Sequence, residues 1–86
     1  MFYVYAIYNN QHKKIYIGQT YDLEKRLSEH NDINNLTHVY TKRYGSSWKL
    51  IYKEELPTRT EALKREKQLK SYQGRQFIKR LLSSVG

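Results

Sequence analysis

The amino-acid sequence predicts one small α/β unit with the element order ββαβαα, and three observations predict it. Two short runs rich in Tyr, Ile and Val flank a polar segment near the N-terminus. Apolar residues then recur at helical spacing behind capping residues. No repeat, low-complexity tract or linker interrupts the 86 residues. Residues 1–86 are therefore read as a single domain, because a chain of this length serves one modest core at most.

Phe2 to Tyr8 and Lys14 to Gly18 are the two runs, and the polar residues Asn9, Asn10, Gln11, His12 and Lys13 between them predict a β-hairpin. A helix follows, with Thr20 as its N-cap, Asp22 in the electropositive first turn, and Leu23 with Leu27 as an apolar i, i+4 pair, running to about His30. From Asn31 to Ser47 the chain is polar and irregular, a connection of about 17 residues that exceeds the usual loop and is more often functional than incidental. Trp48 to Glu54 reads as a third strand. Pro57, Thr58 and, three residues later, Glu61 form a capping box that starts a second helix reaching Tyr72. Gly74 is expected to break that helix. Phe77, Ile78, Leu81, Leu82 and Val85 then recur at helical spacing with Arg75, Lys79 and Arg80 opposite, a last helix that closes the core.

The chain carries 16 Lys and Arg against 8 Asp and Glu, a formal charge of +8. So strong a positive field on so small a body favours a polyanionic partner, although a basic surface also simply keeps a protein soluble. With no cysteine, the sequence excludes a disulfide framework, a thiolate metal site and a cysteine nucleophile, so any metal must sit on oxygen or imidazole. The apolar run at the N-terminus lacks a basic leading segment and a small-residue cleavage site and reads as a strand. No stretch approaches the roughly 20 apolar residues that span a bilayer. A cytoplasmic protein with no membrane partner is the expectation.

Three features could carry chemistry. Tyr8 and Tyr16 end the two hairpin strands, where paired tyrosines are as a rule packing residues with a polar tip. Arg26 and His30 stand four apart on the first helix, beside the Leu23 and Leu27 stripe, and otherwise read as a solvated basic face. Glu66 sits between Ala62 and Leu69 in the apolar stripe of the second helix. An inward carboxylate is normally paired, protonated or bound to a metal, so it is either a ligand or the partner of Lys70 four residues on.

Taken together, the segments VYAIY, IYIGQT, DLEKRLSEHN and EALKREKQLK resemble the motifs of the GIY-YIG nuclease superfamily, in order and across nearly the whole chain. The likeness is to small stand-alone members, which resemble the N-terminal nuclease domain of the UvrC excinuclease. It implies the small GIY-YIG fold, a three-stranded mixed sheet flanked by helices. By position it matches Tyr8 and Tyr16 to the motif tyrosines, Gly18 to the motif glycine, Arg26 and His30 to the helix pair, and Glu66 to the metal ligand. Ala6 departs from the usual glycine of the first motif, Gln19 replaces a lysine of some members, and Ile78 stands where some larger members have an asparagine.

The resemblance implies a metal-dependent endonuclease acting on DNA, single-stranded or branched substrates included, with a single divalent cation, Mg²⁺ or Mn²⁺, anchored by Glu66. Arg26 would clamp a nonbridging oxygen. Tyr16 is the favoured general base, with Tyr8 as the alternative and His30 orienting or relaying. Gly18 would allow close backbone approach to the scissile phosphate and the turn into the helix, with Gln19 and Thr20 adding hydrogen bonds. Lys42, Arg43 and Lys70, with Lys64, Lys67, Arg75 and Lys79, would track the backbone, and Tyr40, Tyr44 or Tyr72 would stack on unpaired bases. The rival is a nucleic-acid-binding module that keeps the fold and does not cleave. A third possibility, a protein-interaction domain, needs the last helix to expose its apolar face.

Overall fold

In the computed structural model, residues 1–32 and 47–85 are described. The β-rich runs become β1 (Phe2–Asn9) and β2 (Lys14–Thr20), joined by a turn, followed by α1 (Leu23–Asn31), β3 (Trp48–Leu56), α2 (Arg59–Lys70) and α3 (Tyr72–Val85). The order is the expected ββαβαα in a small α/β fold with three strands. Strand direction is the point of difference. The sheet order is β2-β1-β3 and both pairings are antiparallel. β2 and β3 run the same way, yet β1 lies between them, so the sheet contains no parallel pair.

β1 is the central strand, and Val4, Tyr5, Ala6 and Ile7 are all fully buried. Four consecutive buried residues mean that both faces of the strand are covered. On one face Val4, Ala6 and Ile17 pack against Ala62, Leu69 and Ile78 of α2 and α3. On the other, Tyr5, Ile7 and Trp48 pack with Tyr16, Leu23 and Leu27. A bulge shifts the β1–β3 register between Ala6 and Ile7, so that Ile7 pairs with Leu50 and Ala6 with Tyr52. The extra residue reverses the side-chain alternation of β3, sending Trp48 to the α1 face and Tyr52 and Leu56 to the other.

Several local expectations need correcting. Thr20 ends β2 and does not cap α1. The cap is Asp22, whose carboxylate accepts from the Lys25 amide at 3.1 Å, while the Thr20 hydroxyl accepts from the Asp22 amide at 3.1 Å. Thr58 caps α2 as predicted, accepting from the Glu61 amide at 3.2 Å. The break after α2 falls at Ser71, and Gly74 lies inside α3. Ser71 serves both helices, donating to the Gln68 carbonyl at 2.6 Å and accepting from the Gly74 amide at 3.3 Å. A Cβ at Gly74 would overlap the backbone of Gln68 and Leu69, so glycine is there to let two helix ends approach. Ile78 is fully buried and Phe77 and Leu81 pack beside it, so the apolar face of α3 closes the core as the spacing predicts, and the protein-interaction alternative, which needed that face exposed, loses its premise. The polar connection is described only at its ends, where the Asn31 side chain accepts from the Trp48 amide at 2.9 Å and donates to its carbonyl at 3.0 Å. Tyr40, Lys42, Arg43 and Tyr44 lie outside the described residues.

Candidate active site

Strand register decides which tyrosines meet. Tyr5 stands opposite Gly18 and Ile7 opposite Tyr16, so Tyr5 and Tyr16 share the face covered by α1. A Cβ on Gly18 would lie 2.8 Å from the Tyr5 Oη and 3.0 Å from the Tyr16 Cε1. The missing side chain is what makes room for both rings over β2, and Gly18 sits within the strand, not in a turn. α1 delivers His30 from the other side, fully buried, with its Nε2 2.8 Å from the Tyr5 Oη. Ring centroids lie 5.9 Å apart for Tyr5 and His30, 5.0 Å for Tyr16 and His30, and 6.3 Å for the two tyrosines. Three aromatic groups thus close a triangle above a glycine.

Charge converges on the same hydroxyl. Burial raises the Tyr5 phenol well above its ordinary range, and Tyr16 and Glu66 add to the rise while Arg26 opposes it. A phenol so held stays protonated at neutral pH. It can donate to His30 Nε2, an arrangement that suits a neutral imidazole carrying its proton on Nδ1. Arg26 makes a half-exposed pair with Glu29, Nε to Oε1 3.4 Å. Such pairs contribute little, so changing partner costs the guanidinium little. Glu66 Oε2 lies 2.9 Å from Lys70 Nζ, with the carboxylate side chain 21% exposed. The ion-pair expectation for Glu66 is therefore realised, and its charge also reaches Tyr5 from α2. β2 is one of the two edge strands, and its edge is where groups from the two sides of the sheet come together.

No group of three His, Cys, Asp or Glu assembles among the described residues, so an all-protein metal cage is not formed there. One partly exposed carboxylate beside hydroxyls suits a different kind of ion, one that keeps most of its waters and takes further oxygens from a phosphate. Glu66 fits that role, since its Oε2 is engaged by a lysine that can swing away.

Tyr16, Arg26, His30, Glu66 and Gly18 of the expected set thus gather in one place. Tyr8 does not join them. It pairs with Ile15 and points to the opposite face from Tyr16, and Tyr5 occupies the position expected of it. The signal lay in the turn. A five-residue connection from Asn9 to Lys13 would pair Tyr8 with Lys14 and put Tyr8 and Tyr16 on one face. The strands instead extend to an Asn9–Lys14 pair, and that single residue reverses every face assignment. Gln19 is also displaced, its Oε1 accepting from Arg59 Nη1 at 3.2 Å, and Thr20 is buried with its hydroxyl on the Asp22 backbone.

A UPF0213 protein of Staphylococcus saprophyticus is 32% identical to this chain over 65 residues, covering 76% of both chains, and a UPF0213 protein of Staphylococcus epidermidis matches to the same extent. No solved structure gives a significant match. The GIY-YIG catalytic domain matches residues 1–79, and with the paired tyrosines, the glycine between them and the helix-borne Arg26, His30 and Glu66 on one site, the chain belongs to the GIY-YIG family.

Proposed function

We propose that the protein is an endonuclease that hydrolyses phosphodiester bonds in DNA, with single-stranded or structured DNA as substrate and Mg²⁺ or Mn²⁺ as its cation. The observation that carries this reading is the convergence of Tyr5, Tyr16 and His30 over Gly18 within reach of the charges of Arg26 and Glu66. The likeness to stand-alone proteins resembling the nuclease domain of the UvrC excinuclease belongs to the same proposal, as does a cytoplasmic location. No helix among the described residues is long and apolar enough to cross a membrane.

Hydrolysis joins a water oxygen to phosphorus, breaks the bond to the 3′ oxygen and moves one proton from the water to a base. In our assignment the ionised phenolate of Tyr16 takes that proton and becomes the neutral phenol. Tyr5, held protonated by burial, keeps the His30 ring in place and presents a donor. Arg26 leaves Glu29 to clamp a nonbridging oxygen with its planar fork. Glu66 would hold the divalent cation, which supplies charge neutralisation for the leaving oxygen. Lys70 then turns from Glu66 towards the phosphate backbone.

The test is cleavage of labelled single-stranded, duplex and branched DNA, with RNA alongside, by wild type and Glu66→Ala in Mg²⁺, Mn²⁺ and EDTA. Metal-dependent products that disappear with Glu66→Ala are expected. Binding without cutting under every condition would instead establish the noncatalytic module.

A further inference from the structure

Beside the tyrosine cluster a cleft of about 660 Å³ opens between the β1–β2 turn and α3, and its lining includes Tyr16. Five cations line it: Lys13 and Lys14 on one wall, Lys70 at the end of α2, and Arg75 and Lys79 on the other. Arg75 and Lys79 are four apart and share one side of their helix. Among the described residues no carboxylate lines the cleft. Lys70 is balanced by Glu66, while Lys13 and Lys79 make no ion pair among the described residues. Like charges gathered in this way repel one another, and a bound polyanion relieves that repulsion.

The turn adds an independent observation. Lys13 has φ 55°, a left-handed conformation uncommon for a lysine, whereas glycine adopts it freely. Asn9 Oδ1 accepts from the His12 amide at 2.9 Å and helps close the turn, so the backbone does not depend on a lysine at position 13. The side chain is what distinguishes it from the residue that would fit best.

We infer that this cleft holds one nucleic-acid strand flanking the scissile phosphate, with successive phosphates meeting Lys13, Lys14, Arg75 and Lys79. The inference rests on the proposed site at Tyr16 for its position along the strand. The geometry favours one strand because cations line both walls and enclose a single backbone. A duplex presents its two backbones about 12 Å apart across the major groove and asks for a flatter basic face. The recognised chemistry is the phosphodiester itself, common to DNA and RNA, with no base contact required.

The experiment measures binding in EDTA, by fluorescence anisotropy, for labelled single-stranded DNA, single-stranded RNA of the same sequence and the corresponding duplex. The proteins are wild type, Lys13→Gly with Lys79→Gln, and the charge-matched control Lys49→Gln with Lys53→Gln on β3. Thermal melting accompanies each, and Lys13→Gly removes the charge while giving the turn its preferred residue. Losing two phosphate contacts to a single strand flattens the slope of log K against log salt by about 1.4 and weakens binding roughly tenfold near 0.1 M salt. That result, with both single strands affected alike, the control within about twofold of wild type and melting unchanged, is expected.

Unaltered affinity and slope in the Lys13 and Lys79 variant would overturn the inference. So would a tighter duplex complex with the same dependence on these lysines, or a DNA or RNA preference above about tenfold that survives the substitutions. Because cleavage is silent in EDTA, failure of the nuclease assignment leaves this readout intact, and the two are separable.

Discussion

The face of the sheet under α2 and α3 is closed by Val4, Ala6, Ile17, Ala62, Leu69 and Ile78, while the face towards α1 seals Tyr5 and His30 beside Ile7 and Trp48. The first is aliphatic and has only to exclude water. The second buries a phenol and an imidazole, each of which loses hydration that hydrogen bonds such as the one between them must replace. A protein of 86 residues has little core to spare for polar groups. Under the proposed function, their burial serves chemistry at the β2 edge. Substitutions on the two faces should therefore separate folding from catalysis.

The largest effect expected is on the aliphatic face. Ile78 is fully buried between α3 and the sheet, so Ile78→Ala removes buried methylenes and leaves a cavity at a cost of about 2–5 kcal/mol. Denaturant unfolding should show that loss, while cleavage per folded molecule at low temperature stays near wild type. Equal loss of specific activity in the folded fraction would mean that the faces are not separable.

Next comes the polar face. Tyr5→Phe deletes one hydroxyl and the bond to His30, with an expected loss in kcat of about a hundredfold, or roughly 2.7 kcal/mol of transition-state stabilisation. Tyr8→Phe alters the opposite face and should stay within about twofold. If Tyr8→Phe were the damaging change, the face assignment would be wrong despite the observed register.

This pair of variants also marks how far the sequence could be read. Element order, the Thr58 cap and the burial of α3 follow from spacing and apolar periodicity, whereas Tyr16, Arg26, His30 and Glu66 are joined into one site only by the resemblance to the GIY-YIG motifs, and the comparison with Tyr8 shows where that reading stops. Face assignment in a hairpin depends on one residue of turn length, set here by the Asn9 side chain and the strained Lys13, and no periodicity reports it. The same holds for β3, where a bulge reverses the alternation midway. Gly74 reads as a helix breaker because propensity is local, whereas its requirement is the packing of one helix end on another. Tyr5 is hidden for a simpler reason. With nine tyrosines in the chain, only the long-range contacts of Gly18 and His30 single it out.

The smallest effect lies on the α2 side, where polar groups are bonded yet only partly buried. The Glu54 carboxylate accepts from the Tyr52 hydroxyl at 2.6 Å and from Arg65 Nε at 3.1 Å, joining β3 to α2. The Tyr52 bond above all holds the Glu54 carboxyl below its ordinary value; burial opposes it, and Arg65 adds to the lowering. A carboxyl whose folded pKa is depressed contributes stability in full above its unfolded value and loses it as pH falls through the folded one. With both ends of the ion pair about a third exposed, solvent screening limits that contribution to about 0.2–1 kcal/mol. Glu54→Gln should lower stability by that amount at pH 7, and the gap to wild type should close on acidification below the usual carboxylate range, since protonated Glu54 then resembles the amide. Urea midpoints for both proteins from pH 7 to pH 3 give the difference directly. A gap that persists unchanged at pH 3 would show that shape and hydrogen bonding, not the charge of Glu54, hold β3 to α2. The polar groups of this face would then act as packing, and ionisation would matter to the protein mainly at the β2 edge.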